Sequence, residues 1–319
     1  MSYLLRRVLV LALTLFFVSV AVFAAFHIIP GDPALLILGT EASEEQLISL
    51  RIQLGTDKPL LVQYGSWLRG VFHGTFGMSL RYTKTVESLI KNRIGVTAFL
   101  GVMVLCIVFV VGIPLGIGMG WKRGGVFYQL SSVIAMLGIS VPGFFLGILV
   151  IWVFGLILHL FVPGSYVSYS ENPSAFFRFL IFPAFTIAVP QIALLSKYLS
   201  SAVRAEMDSG YVRTARSKGN SGFGILVHHV FKNAIVAVVP MIGMIVGGVF
   251  SGSIIIEQVF GISGIGRLLI AAVTSRDFPL AQALVMYIAL IVVVVNTLVD
   301  IVVQIIDPRI RLSSAKKSV

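Results

Sequence analysis

Residues 95–120 read Gly95-Val-Thr-Ala-Phe-Leu-Gly-Val-Met-Val-Leu-Cys-Ile-Val-Phe-Val-Val-Gly-Ile-Pro-Leu-Gly-Ile-Gly-Met-Gly120, without one charged side chain. A helix needs roughly 20 apolar residues to cross a hydrocarbon layer about 30 Å thick. This run is long enough, and five others flank it, at about 8–29, 129–160, 180–203, 233–256 and 280–306. Their only charged residues are Lys197 and Asp300, and His159 sits at an edge. The run at 129–160 is long enough to tilt or to end in an interfacial turn. The pattern predicts an all-α polytopic membrane protein with about six transmembrane helices.

Composition agrees. The chain is 57% hydrophobic and 12% charged, with a mean hydropathy of +1.00, whereas soluble domains carry roughly 25% charged residues. Too few polar groups remain to cover a water-facing surface, so lipid covers much of it. The formal charge of +11 does not indicate nucleic acid. The basic residues lie between apolar runs rather than in one stripe interleaved with aromatics. The single cysteine, Cys106, rules out an intrachain disulfide.

Lysine and arginine counts set orientation. With the N-terminus inside, Arg6, Arg7, Lys122, Arg123, Lys197, Arg204, Arg213, Arg216, Lys218, Lys232, Arg309, Arg311, Lys316 and Lys317 are cytoplasmic, fourteen of 24 basic residues. Seven of the others fall in the long segment 30–94, where charge has little influence on translocation, and the short outer loops hold only Arg178, Arg267 and Arg276. Both termini are expected in the cytoplasm. The first run, preceded by Arg6 and Arg7, exceeds the 7–15 residues of a cleaved signal and reads as an uncleaved anchor. Four parts follow: residues 1–29, a cytoplasmic end and first span; 30–94, an external segment; 95–306, a five-helix core with a cytoplasmic loop at 204–232; and 307–319, a cytoplasmic tail.

The external segment has its own helical signals. Ser43 and Gln46 form a capping-box pattern, Leu47, Leu50 and Leu54 keep helical spacing, and Gly55 suits a helix stop. Leu60, Leu61, Tyr64, Trp67, Leu68 and Val71 share one face, and Thr85 opens a further short stretch with Val86, Leu89 and Ile90. These read as short amphipathic helices lying on the outer membrane face or capping the bundle; a small soluble subdomain is the plain alternative. Glycines and prolines within the spans (Pro114, Gly116, Gly118 and Gly120; Pro142, Gly143 and Gly147; Pro183 and Pro190; Pro240, Gly243, Gly247, Gly248 and Gly252) are expected mainly at close helix contacts.

The loop at 204–232 is too polar for lipid. Tyr211, Ala215 and Gly219 fall four apart, on one helical face, with Arg213, Arg216 and Lys218 elsewhere. A small-residue stripe with a basic flank suits a partner's groove; a solvated loop helix is the plain alternative.

Here the residues match a family. Tyr211-Val-Arg-Thr-Ala-Arg-Ser-Lys-Gly219 with His229-Val-Phe-Lys-Asn-Ala234 resembles the cytoplasmic "EAA" loop of ABC importer permeases, in its dipeptide/oligopeptide/nickel version. Gly31-Asp32-Pro33-Ala34, Leu54-Gly55 through Leu60 with Gln63-Tyr64, and Phe76-Gly77-Met-Ser79 are similar to the outer segment of the first, B-type, permease subunit. Glu257-Gln-Val-Phe260, Gly264-Ile-Gly266-Arg267, Arg276-Asp277-Phe-Pro279-Leu and Asp307-Pro308-Arg309-Ile310-Arg311 follow in the family's order. Each motif alone is weak; the ordered set is strong. Arg213 replaces the family's usual Glu, and Ser263-Gly264 stands where Pro-Gly is common.

The resemblance implies a type I ABC importer permease of the bacterial cytoplasmic membrane. Its partners would be a second homologous permease subunit in a heterodimer, two cytoplasmic ATPases carrying ATP and Mg, and an extracytoplasmic solute-binding protein. Residues 211–222 would be the coupling helix, with Tyr211, Arg213, Thr214, Ala215, Arg216, Ser217, Lys218 and Gly219 meeting the ATPase. The chain has no Gly-x-x-x-x-Gly-Lys-Ser/Thr phosphate loop, so it is expected to bind no cofactor and to be no enzyme by itself. Dipeptides, oligopeptides, glutathione-like compounds and nickel chelates all remain open as substrates.

Other constellations carry less. Gly261-Ile-Ser263-Gly264 has no base in reach of its serine, since no His follows His229. The five His residues at 27, 73, 159, 228 and 229 show no spacing that closes a metal site. Ser251, Ser253, Glu257 and Asp300 are pathway candidates. Asp300, about six residues or roughly 9 Å from the helix end, also fits a headgroup-level acid, and Glu257 reads more readily as interfacial than as substrate-binding. The rivals are an ion-coupled secondary transporter, which needs ionisable groups deep in several spans, and a membrane scaffold without transport.

Overall fold

The computed structural model describes residues 3–28, 33–39, 42–122 and 124–306. The expectations resting on Gly31, Asp32, Arg123 and the tail at 307–319 lie outside these residues. In chain order the helices are α1 (Tyr3–Ile28), α2 (Pro33–Leu38), α3 (Glu44–Leu54), α4 (Leu60–Phe72), α5 (Val86–Trp121), α6 (Val126–Ser140), α7 (Gly143–Val150), α8 (Pro173–Met207), α9 (Gly210–Ser217), α10 (Gly222–Ile225), α11 (Phe231–Val238), α12 (Met241–Phe260), α13 (Ile265–Thr274) and α14 (Phe278–Ile306). Among the described residues no strand forms, and α1, α5, α8, α12 and α14 are each long and apolar enough to cross a membrane.

The run at 129–160, expected to tilt or to end in an interfacial turn, is instead a sharply bent pair of shorter helices. α6 and α7 meet at 105° across Val141 and Pro142. Proline has no N–H to give the helix, and its ring drives the preceding residue out of helical space; Val141 is accordingly extended, at φ −80° and ψ 123°. α7 then runs into a π-helical segment, Ile151–Ile157. Two boundaries also differ. The stretch opened by Thr85 is no separate helix but the first turns of α5. The run at 233–256 is divided, because Pro240 separates α11 from the long helix α12.

Packing sorts the chain into two compact units, Met1–Gly95 with Leu268–Val293, and Val96–Arg267 with Val294–Val319. In the first unit, Ser43 accepts from the Gln46 N–H while the Gln46 side chain accepts from the Ser43 N–H, which fixes the start of α3. α4 lays its aromatic face on α1: the Ser19 and Tyr64 hydroxyls lie 2.8 Å apart, and Phe23 packs on Tyr64 and Trp67 at 5.3 and 5.9 Å between ring centroids. Leu60, Leu61 and Phe72 are left exposed, as on a helix resting at an apolar surface.

The second unit is built around α8, whose buried side includes Leu180, Ala184, Ile187, Ala188, Leu195, Leu199 and Val203. Glycines let α5 and α12 approach it. A Cβ at Gly116 would sit 3.0 Å from the Ser196 carbonyl oxygen, and one at Gly120 would sit 2.7 Å from Val203 Cβ. On α12, a Cβ at Gly248 would meet Gln191 and one at Gly252 would meet Ile187. With lipid tails on all sides, apolar burial gives little net drive, so close van der Waals contact carries helix association. Gly247, between these contacts, has nothing within 4 Å of a built Cβ.

This contrast is testable. Gly120→Ala should cost about 1–3 kcal/mol through overpacking, lowering the thermal midpoint of the purified protein in detergent. Gly247→Ala should leave the midpoint unchanged or raise it slightly, because alanine favours helix; equal losses in both variants would refute the glycine-mediated packing.

Candidate functional site

The polar loop after α8 folds into a short helix set against the second unit. α9 starts at Ser209, whose backbone is extended (φ −70°, ψ 154°) and whose hydroxyl donates to the Glu206 carbonyl at 2.6 Å. It ends in paired capping bonds: the Gly219 N–H donates to Arg216 O at 2.9 Å and the Asn220 N–H to Ala215 O at 3.3 Å. That stop needs a left-handed residue, and Gly219 sits at φ +81°.

One face of α9 is turned inward. Val212 and Ala215 are buried in the same apolar cluster as Ile225, Leu226 and Val230. Arg213, Thr214, Arg216, Ser217 and Lys218 are exposed. The expected stripe of Tyr211, Ala215 and Gly219 therefore does not form an outward face. Ala215 serves the chain's own core, Gly219 lies beyond the helix, and extrapolating helical spacing across the stop put it on a face it does not share. Tyr211 is exposed at its ring, yet its hydroxyl donates to Glu206 and accepts from Asn233 at 3.2 Å. Burial first, and then the Glu206 carboxylate, push this phenol above its ordinary value, so it stays a donor throughout the physiological range. The tie holds α9 to both the end of α8 and the start of α11. What α9 offers outward is a basic and hydroxylic surface.

The pathway candidates separate by burial. Glu257 is wholly buried within the chain. It accepts from the Thr97 hydroxyl at 2.7 Å and the Arg267 N–H at 3.1 Å, and Thr97 in turn accepts from the Ile265 N–H at 2.9 Å. These N–H groups belong to the first turn of α13, where unsatisfied donors and the helix dipole favour an anion. A Cβ on Gly264 would collide with the Glu257 carboxylate, and one on Gly266 would collide with the Ile254 backbone. Hence Glu257 and Gly264-Ile-Gly266, separate motifs in the sequence, form one clamp. Ser253 is buried too, donating to the Phe250 carbonyl at 2.9 Å. A group already enclosed within the single chain offers no oxygen to a solute. Ser251 is exposed and Asp300 half-buried, which leaves these two open to other roles.

A second clamp lies in the first unit. Asp277 is fully buried and accepts from the Ser79 hydroxyl, from the Arg81 N–H at 3.2 Å and from the Leu280 N–H at 3.4 Å. It thus caps α14 and ties the 79–81 turn to it. Sequence reading missed both clamps, although their members stood in the quoted motifs; only the fold brings residues 160 and 198 positions apart into contact. Among the described residues no group of His, Cys, Asp or Glu is arranged to hold a metal ion.

Comparison with known proteins places this geometry in context. Residues 112–312 match the family described as binding-protein-dependent transport system inner membrane component, and residues 1–101 match the N-terminal family of the same systems. A Brucella abortus (strain 2308) protein, provisionally named a peptide transport system permease, is 38% identical over 97% of this chain and 99% of its own length. A Sinorhizobium fredii protein, provisionally named a peptide ABC transporter permease, is 33% identical over 97% of this chain and 99% of its own. The dipeptide transport system permease protein DppB of Alkalihalophilus pseudofirmus is 31% identical over 98% and 99%.

Replacing Glu257 by Gln should expose the first clamp's contribution. Glutamine offers one acceptor oxygen to two donors and turns its own N–H₂ toward the other, a mismatch worth about 1.5–3 kcal/mol. The thermal midpoint of purified Glu257→Gln should fall accordingly, while Ser251→Ala should stay within about 0.5 kcal/mol of wild type. A Glu257→Gln protein as stable as wild type would contradict the clamp.

Proposed function

The chain belongs to the family of binding-protein-dependent transport system inner membrane components, and we propose that it takes its energy from a cytoplasmic ATPase through the exposed face of α9. It is a permease component of an ATP-binding-cassette importer for peptides. The observation that carries this is the joint match of two family models to residues 1–101 and 112–312, supported by full-length relatives named as peptide permeases.

The detailed reading is as follows. Both termini lie in the cytoplasm, a second permease subunit supplies the other half of the pathway, and a solute-binding protein delivers peptide at the outer side. ATP and Mg reside in two ATPase subunits. α9 docks on one of them with Arg213, Thr214, Arg216, Ser217 and Lys218 outward, while Val212 and Ala215 keep it seated on α10 and the end of α8. A helix fixed by an apolar face and a tyrosine tether transmits a push; a loose loop absorbs it. ATP-driven closure of the ATPase pair then moves α9 together with α8 and α11, biasing a bundle with two arrangements. Ser251 and Asp300 remain candidates for the solute path. Glu257 and Ser253 are reassigned to holding the helices.

Exposed ion pairs are each worth only about 0–1 kcal/mol, so a single arginine is a weak probe. The double reversal Arg213→Glu with Arg216→Glu, expressed with its partner subunits, should lose ATPase co-purification and reduce ATP-dependent peptide uptake at least tenfold. Membrane insertion and thermal midpoint should be unchanged, because neither side chain enters the core. Normal uptake by this variant would refute coupling through α9.

A further inference from the structure

We propose that the seam between α6 and α8 holds a site for the phosphate headgroup of an anionic phospholipid, with Lys197 as its principal cation. The argument starts from the length of α8. Arg178 and Lys197 bracket its apolar stretch, nineteen residues apart, or about 28 Å at 1.5 Å per residue. That matches a hydrocarbon core of about 30 Å, so Lys197 stands at headgroup level rather than deep in the span.

Lys197 does not simply point into water there. It is half-buried, and its ammonium donates to the Ser132 hydroxyl of α6, itself 8% exposed. Seven residues on, along the same side of α8, the Arg204 guanidinium lies 3.9 Å from the centre of the Tyr128 ring, one turn before Ser132 on α6, and donates to the Met119 carbonyl at 3.3 Å. Two cations thus face two hydroxyl-bearing residues across one seam. Among the described residues no carboxylate forms an ion pair with Lys197. A cation held only by a neutral hydroxyl attracts an anion, and a phosphodiester brings both the charge and acceptor oxygens for Lys197 and Ser132.

The surroundings favour lipid over solute. α6 buries only Ser131, Ser132 and Ala135. Leu130, Val133, Ile134 and Leu137 are all more than half exposed, an apolar stripe beside the seam along which acyl chains can lie. Basic pockets between membrane helices are known acceptors of anionic headgroups. On the orientation given above, the site faces the cytoplasmic leaflet. The proposal rests on membrane insertion and does not depend on coupling through α9.

The test uses the assembled importer in nanodiscs of phosphatidylcholine doped with phosphatidylglycerol, with native mass spectrometry counting the lipids retained. Wild type should retain phosphatidylglycerol in preference to phosphatidylcholine. Lys197→Gln should retain it about fivefold less, Lys197→Arg as well as wild type, and Arg178→Gln, at the other end of α8, as well as wild type. Equal retention of both lipids by the wild-type protein would overturn the proposal without recourse to any variant, as would undiminished retention by Lys197→Gln. So would a Lys197→Gln protein that keeps its lipid but takes up peptides with a free C-terminal carboxylate more weakly, relative to amidated ones; that cation would serve the solute.

Discussion

Hydrocarbon offers no hydrogen bonds, and this constraint shapes the protein at every level. Each N–H and C=O within the layer must be satisfied by the chain itself, which is why the apolar runs become helices. It is also why every acid enclosed within a unit comes with its donors. Glu257 is tolerated because Thr97 and the first turn of α13 meet it, and Asp277 because Ser79, Arg81 and Leu280 do. Each clamp spends one charge to fix a helix terminus whose N–H groups would otherwise lack acceptors.

The same constraint explains the glycines. Gly116 and Gly120 bring α5 against α8, and Gly248 and Gly252 bring α12 against it from another side. α9 is joined to the C-terminal end of α8 by Ser209 and by the Tyr211–Glu206 bond.

Much of this was legible in the sequence. Length and hydropathy alone gave the long helices, because lipid imposes one requirement on all of them. Ser43, Gln46 and Gly55 marked the limits of α3, since capping depends on side chains a few positions apart. Failures came where distant or directional effects decided. The 105° break at Pro142 was hidden by unbroken hydrophobicity on both sides. The outward face of α9 was misread because spacing shows which residues share a side but not which side meets the core. Val212 and Ala215 reveal that only through the buried apolar cluster they share with Ile225 and Leu226. The bond between Glu257 and Thr97 was invisible because the two lie 160 positions apart.

The central claim is that α9 presents Arg213 and Arg216, and not Ala215, to an energy-supplying partner. Disulfide crosslinking in the assembled importer tests it most directly, with Cys106, the single native cysteine, first replaced by serine. Arg213→Cys and Arg216→Cys should each crosslink to cysteines scanned along the ATPase surface, with yields that change when ATP is added, while Ala215→Cys should not. Efficient crosslinking from Ala215→Cys, or none from either arginine position, would contradict the account.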